Sequence, residues 1–383
     1  MSAPLIVLAA GGTGGHMFPA EALAAALLES GIRLAVITDR RGGGFGDTLG
    51  GLDCYEVRSG GISGRGLAAR LLSMRELMVG VIQARVLLRR LAPRLAVGFG
   101  GYPSVPTMLA AGFGSCGTLI HEQNAVLGRA NRLLASRCDR IATSFADVAQ
   151  VPPKAAGKIV HTGMPIRPAF IAARAVDYPR HDRSAGFNVL VLGGSQGARV
   201  FSDLVPDAVA MMSRAARRAL RICQQCRPED VERVRAAYAA LGVEAELAAF
   251  FADVPDRLAA AHLVIARSGA STVAEITGVG RPSILVPYPF ATDDHQSANA
   301  AALDRSGGAW MIPQSEMKPE GLAAKLEMVW RSPEMLAAAA AQARAAGQPD
   351  ATAKLAALVR VMLDTSENGR QRGQKQQGGK KAA

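Results

Sequence analysis

The chain states one local plan twice. LIVLAAGGTGGHMFPAEALAAAL, from Leu5 to Leu27, is an apolar run, a glycine loop and an alanine-rich helix; NVLVLGGSQGAR, from Asn188 to Arg199, restarts the same order. An apolar run of strand length that feeds a helix through glycines marks a βαβ unit, because parallel strands need a long crossover and that crossover is usually a helix. After each start, strand-like runs alternate with helical stretches. LAVITD, a long helix from about Leu67 to Leu91, LAVGFG, GTLIHE and RIATS follow the first; ALRICQQ, HLVIARSG and PSILVPYP follow the second. The fold class is therefore α/β, with two Rossmann-like, doubly wound domains facing across a cleft. Between the halves, TGMPIRPAFIAARAVDYPRHDRSAG carries prolines and no clean periodicity, which suits a domain connection.

Composition narrows the partners. At 383 residues and 49% hydrophobic, the chain can fill two or three domain cores, and its net charge of +12 asks for an anion: nucleic acid, phosphorylated metabolite or acidic lipid. Residues 364–383 hold five basic side chains against Asp364 and Glu367, so they supply +3 and the remainder carries +9. With aromatics at 5% and no aromatic-and-basic interleaving, a nucleic-acid partner is not expected. No apolar stretch reaches the ~18 residues of a spanning helix, and Met1 to Ala10 lacks a signal-peptide pattern, so a cytoplasmic protein is expected. The five scattered cysteines fit reduced thiols. Cys223 and Cys226 form a lone CxxC with no second pair, better read as strand-end packing than as a metal site.

Glycine loops between strand and helix let an anion approach unpaired backbone N–H groups at the positive end of the helix dipole. A dinucleotide site is one candidate, with Asp39 where a ribose-binding acid could sit. Its fingerprint fails, because Met17 occupies the third-glycine position after Gly12 and Gly14. A tight turn with no ligand would need the same glycines. HEQN (121–124), RSGASTVAE (267–275) and PYPFATDDHQSANA (287–300) also follow strand-like runs. Glu275, a turn or two into a helix, can accept two hydrogen bonds from vicinal ribose hydroxyls, or be a solvated surface glutamate. His295 and Gln296 put an imidazole beside an amide, as sugar hydroxyls require, or simply begin a helix.

GGTGGHMFPA, GFGGYPS, HEQNAVLGRAN, GMPIR, GGSQGA, RSGASTVAEI and HQSANA, in this order from Gly11 to Ala300, resemble the MurG family of peptidoglycan N-acetylglucosaminyltransferases, in glycosyltransferase family 28. The resemblance spans nearly the whole folded chain. It implies a GT-B fold, with an acceptor- and membrane-binding domain over 1–165 and a UDP-GlcNAc-binding domain over 166–349. A last helix, about 350–363, packs back on the first domain. The polar, glycine-rich tail 364–383 lies outside the resemblance and is expected to be disordered. The implied activity moves GlcNAc from UDP-GlcNAc to the 4-hydroxyl of MurNAc in undecaprenyl-pyrophosphoryl-MurNAc-pentapeptide, lipid I giving lipid II, with inversion and without cofactor or metal.

By the same resemblance, Arg167 and the backbone of Phe251 lie near the uracil, Ser195 and Gln196 at the phosphates, and Glu275 on the ribose. Ala270, His295 and Gln296 surround the GlcNAc. Thr13, Gly14, Gly15 and Asn124 also reach the donor, while Gly12 and Tyr102 bind the acceptor. His16 is the preferred general base and Glu122 the reserve. Met164 stands where the family usually has asparagine, so only Arg167 is carried over from GMPIR. In RGLAARLLSMRELMVGVIQARVLLRR, the helical row Leu67, Leu71, Met74, Met78 and Ile82 continues as Arg85 and Arg89. Such a row suits peripheral binding to the anionic cytoplasmic face of the plasma (inner) membrane, although core packing explains most apolar rows. A nicotinamide-dependent oxidoreductase, a nucleic-acid-binding protein and a diacylglycerol sugar transferase remain the alternatives.

Overall fold

The computed structural model describes residues 3–11, 14–39, 47–60, 67–181, 186–194 and 197–380. The chain divides into two compact units, Met1–Pro165 with Asp350–Ala383, and Ile166–Pro349.

The first unit contains β1 (Leu5–Ala9), α1 (Gly14–Leu28), β2 (Arg33–Thr38), α2 (Asp47–Gly50), β3 (Asp53–Glu56) and α3 (Leu67–Leu91). It continues with β4 (Leu95–Gly98), α4 (Gly101–Gly112), β5 (Gly117–Glu122), α5 (Arg129–Ala135), β6 (Arg140–Thr143) and β7 (Ile159–His161). Its strands are parallel, in the order β3-β2-β1-β4-β5-β6-β7. Side chains alternate across a strand, so the uninterrupted apolar run of β1 feeds two cores. Ile6 and Leu8 pack with Leu23 and Leu27 of α1, whereas Val7 and Ala9 pack with Ala84 and Leu88 of α3 and Met108 of α4.

The second unit contains α6 (Pro168–Ala173), β8 (Phe187–Leu192), α7 (Arg199–Met211), α8 (Arg214–Ala219), β9 (Leu220–Gln225), α9 (Val231–Leu241) and β10 (Glu244–Ala248). There follow α10 (Val254–Ala260), β11 (Leu263–Ala266), α11 (Ala270–Val279), β12 (Ser283–Leu285), α12 (His295–Arg305), β13 (Ala309–Met311), α13 (Pro319–Arg331) and α14 (Pro333–Ala346). The parallel order is β10-β9-β8-β11-β12-β13. Arg281 staples this unit from inside. Its fully buried guanidinium donates to the carbonyls of Leu258 and Ala259 at the end of α10 (3.0 and 2.8 Å) and of Val279 and Gly280 at the end of α11 (3.2 Å each). Val176 and Asp177 accept too, at 3.3 Å. Burial pushes its pKa down to about 10, so it stays charged at neutral pH and complements the negative ends of two helices.

The final helix, α15 (Ala351–Lys380), returns to the first unit, where Leu355, Ala356, Val359 and Leu363 join the core of β1 and α1. Its backbone stays helical to Lys380, a departure from the disordered tail expected after 363. Lengthening an existing helix fixes one residue per hydrogen bond gained, and Arg, Gln and Lys are good helix formers, so a helix nucleated on a core can propagate through a polar sequence.

Candidate active site

In an open parallel sheet, ligands bind at the carboxyl ends of the strands where the order reverses. Each unit has one such point, between β1 and β4 in the first and between β8 and β11 in the second. Glycine loops leave both strands at both points.

At the first reversal, Gly11 is required by contact: an added Cβ would lie 2.7 Å from Thr38 Oγ1 and 2.8 Å from Pro103 Cβ. The chain then enters α1, and His16 sits in its first turn. Gly100 and Gly101, which open α4 after β4, have φ of +80° and +71°. Added Cβ atoms there would touch the His16 ring at 3.5 and 3.4 Å, so the imidazole lies against bare glycine backbone. Tyr102, half-buried, comes next.

Hydrogen bonds then fix which nitrogen of His16 is basic. Its Nδ1 lies 2.9 Å from the carbonyl oxygen of Phe99. A carbonyl only accepts, so Nδ1 carries the proton and Nε2 holds the lone pair. Gln123 Nε2 also donates to Phe99 O (2.7 Å) and, with its other hydrogen, to His121 Nδ1 (3.3 Å). His121 is thereby protonated on Nε2, which donates to Gly163 O at 3.3 Å. Complete burial holds His121 neutral, with its pKa lowered to about 4, so this donor order survives across the physiological range.

Glu122 is buried and surrounded by donors. Oε1 accepts from Asn124 N (3.0 Å) and Asn124 Nδ2 (3.3 Å), and Oε2 from Gly128 N and Asn131 Nδ2 (both 2.8 Å). Four donors saturate the carboxylate and organise the 122–131 loop.

The second reversal is charged. Glu275, in the second turn of α11, accepts from Arg167 Nη2 at 3.4 Å, and the Arg167 guanidinium lies 4.8 Å over the Phe170 ring. Burial raises the Glu275 pKa to about 7 against the opposing pull of Arg167. Ala270 is the first residue of α11, and the preceding Ser268 ties this turn to α12: its hydroxyl donates to Gln296 O (2.8 Å), and its carbonyl accepts from Asn299 Nδ2 (3.0 Å). Gln296 Oε1 accepts from Tyr288 N (3.0 Å), so its amide N–H groups remain as donors. His295 Nδ1 donates to Thr292 O (2.7 Å), leaving Nε2 an acceptor. Asp293 and Asp294, just before this pair, both have left-handed backbone, with φ of +54° and +51°. Phe251 is buried beneath the Arg257 guanidinium, 4.2 Å from its ring centre.

Comparison with known proteins settles the family. The glycosyltransferase family 28 N-terminal domain matches residues 6–143 and the family 28 C-terminal domain residues 188–355. A protein of Paramagnetospirillum magneticum called "UDP-N-acetylglucosamine--N-acetylmuramyl-(pentapeptide) pyrophosphoryl-undecaprenol N-acetylglucosamine transferase" is 57% identical over 96% of this chain and 98% of its own. Its namesake from Rhodospirillum rubrum is 54% identical over 95% and 94%. The crystal structure of Acinetobacter baumannii MurG, 29% identical, superposes with a TM-score of 0.76 over 93% of this chain and 99% of that one. The chain belongs to the MurG family.

Of the residues assigned by resemblance to the MurG family, Gly12, Thr13, Ser195 and Gln196 lie outside the described residues. Gly14 and Gly15 open α1 beside His16, and Asn124 lies on the Glu122 carboxylate. Reasoning from the sequence missed Gln123, although it sits inside the quoted HEQN. It also missed Gln225 at the end of β9. A glutamine that works through backbone carbonyls leaves no charge or spacing signal.

Proposed function

We propose that this chain transfers N-acetylglucosamine from UDP-N-acetylglucosamine to the 4-hydroxyl of MurNAc in undecaprenyl-pyrophosphoryl-MurNAc-pentapeptide, converting lipid I to lipid II. The activity is that in the names of relatives that match the chain almost end to end. The observation that carries its mechanism is the His16 tautomer. An imidazole with Nδ1–H held by a backbone carbonyl presents Nε2 to take the hydroxyl proton as oxygen attacks C1 of GlcNAc and UDP departs from the opposite face, with inversion. The second unit holds the donor: Glu275 accepts from the ribose hydroxyls, and the backbone amides at Gly194 and the start of α7 serve the diphosphate. His295 accepts and Gln296 donates, a complementary pair for hydroxyls that each do both. Glu122 acts as a positioning residue rather than the reserve base.

Peripheral attachment to the cytoplasmic face of the inner membrane is supported by α3. Leu71, Met74, Met78 and Ile82 are all more than half exposed, the largest at 65%, and Arg85 and Arg89 continue the row into solvent. An exposed apolar row ending in cations fits a headgroup layer with anionic lipid and an acceptor carrying a polyprenyl chain. Among the described residues no helix is long and apolar enough to cross a membrane.

Labelled UDP-sugars offered with purified lipid acceptors test the whole reading. UDP-GlcNAc with lipid I should give product, and UDP-GalNAc should be about ten- to a few-hundred-fold poorer in kcat/KM, because its axial 4-hydroxyl loses hydrogen bonds. Equal use of both sugars, or product only with diacylglycerol, would overturn it.

A further inference from the structure

We propose that Arg227 is a ligand of the donor diphosphate. This rests on the second unit being the nucleotide-sugar half. The segment 225–227 leaves β9, beside β8, and is locked to the glycine loop that follows β8. Gln225 Oε1 accepts from Gly193 N (3.1 Å), and its Nε2 donates to Gly194 O (3.1 Å) and to Ala249 O (3.2 Å), two residues before Phe251. Cys226 N donates to Ala248 O at 2.9 Å. One amide thus sets the place of three loops at the carboxyl edge of the sheet.

Arg227 follows on this fixed segment. Gly197 has φ of +67°, and a Cβ added to it would lie 2.9 Å from Arg227 Cγ, so the arginine stem runs directly over the last glycine of the loop. Gly194, at φ +81°, has open space where its Cβ would be.

Charge accounting gives the ligand. Arg199, Arg221, Arg233 and Arg257 of this unit each hold a carboxylate. Of the two acids that follow it, Glu229 is exposed and Asp230 is engaged by Arg233 at 2.8 Å. Arg227 has no ion pair among the described residues, and its Nε is buried without an acceptor. A buried N–H left without a partner costs free energy that the fold does not recover. A full positive charge beside glycine amides and a helix N-terminus lacks only an anion, and a guanidinium suits the paired oxygens of a diphosphate.

The test measures binding of UDP, UMP and uridine to the full-length protein at fixed ionic strength. R227Q should weaken UDP by about tenfold or more while uridine changes by less than about twofold, and R227K should fall between R227Q and wild type for UDP. Unchanged UDP affinity in R227Q, or equal losses for UDP and uridine, would show that Arg227 only supports the loop. In case R227Q unfolds, phenylglyoxal labelling of Arg227 in the wild type gives a second reading: UDP should protect it and uridine should not, and equal labelling would overturn the role. Wild-type protein that binds neither UDP nor UDP-GlcNAc would instead remove the donor assignment on which the inference stands.

Discussion

The two strand-order reversals share a plan and are finished in opposite ways. At the first, donors converge on a few acceptors: Phe99 O takes two, Glu122 takes four, and His121 is neutral and bonded through both nitrogens. At the second, charge is held back from full pairing. Glu275 is raised to about 7 beside a single arginine at 3.4 Å, and Arg227 Nε has no acceptor. A site that must aim one proton acceptor benefits from saturation, whereas a site that must grip a charged nucleotide needs unmet valence.

Removing the aimed group should have the largest effect. His16→Ala should lower kcat by ~10²-fold or more and leave UDP affinity nearly unchanged; near-normal turnover would end the assignment of His16 as base. Saturation at Glu122 predicts a stability phenotype. Glu122→Ala strands four donors and should cost about 2–4 kcal/mol in urea unfolding, while Glu122→Gln, which retains one acceptor oxygen, should keep kcat within about tenfold. A stable but inactive Glu122→Gln would restore this residue as the base.

The third prediction turns on sign. Glu275→Ala should raise the Kd for UDP-GlcNAc about tenfold. In the proposed role, ribose hydroxyls bond the ionised carboxylate, and the diester diphosphate of this ligand does not titrate near neutrality. Wild-type affinity should therefore climb as pH rises through about 7 and level off above it, whereas Glu275→Ala should show a flat profile. Stability of the free protein runs the other way. The folded pKa lies above the ordinary 4.5, so the Glu275 contribution is full below 4.5 and is lost as pH rises through about 7. The smallest effect on chemistry belongs to α3: Met78→Glu with Ile82→Glu should weaken binding to anionic liposomes by several-fold and spare turnover of a short-chain soluble acceptor. Unchanged liposome binding would remove α3 from the membrane.

What could be read in advance follows the same divide. The restart at Asn188 announced two parallel α/β units, because strand period and glycine turns are local properties of the chain. Glu275, His295 and Gln296 were legible as types of chemistry. The saturation of Glu122 was not, since its donors Gly128 and Asn131 reach it through the fold, and neither was the exposure of the Met78 face, which periodicity cannot distinguish from core. Gln123 and Gln225 act on carbonyls up to 31 positions away in sequence, and nothing in their neighbours reports it.

The return of α15 has a consequence for how the molecule is made. Leu355, Val359 and Leu363 cover the inner face of α1 and β1, yet the ribosome delivers them only after the entire second unit. Between Pro165 and Leu363 lie roughly two hundred residues of synthesis, about 10–40 s at ~5–20 residues per second, during which Leu23 and Leu27 lack their final cover. The second unit, uninterrupted from Ile166 to Pro349, can close as soon as it emerges, so the half that begins first in the chain is the half that finishes last.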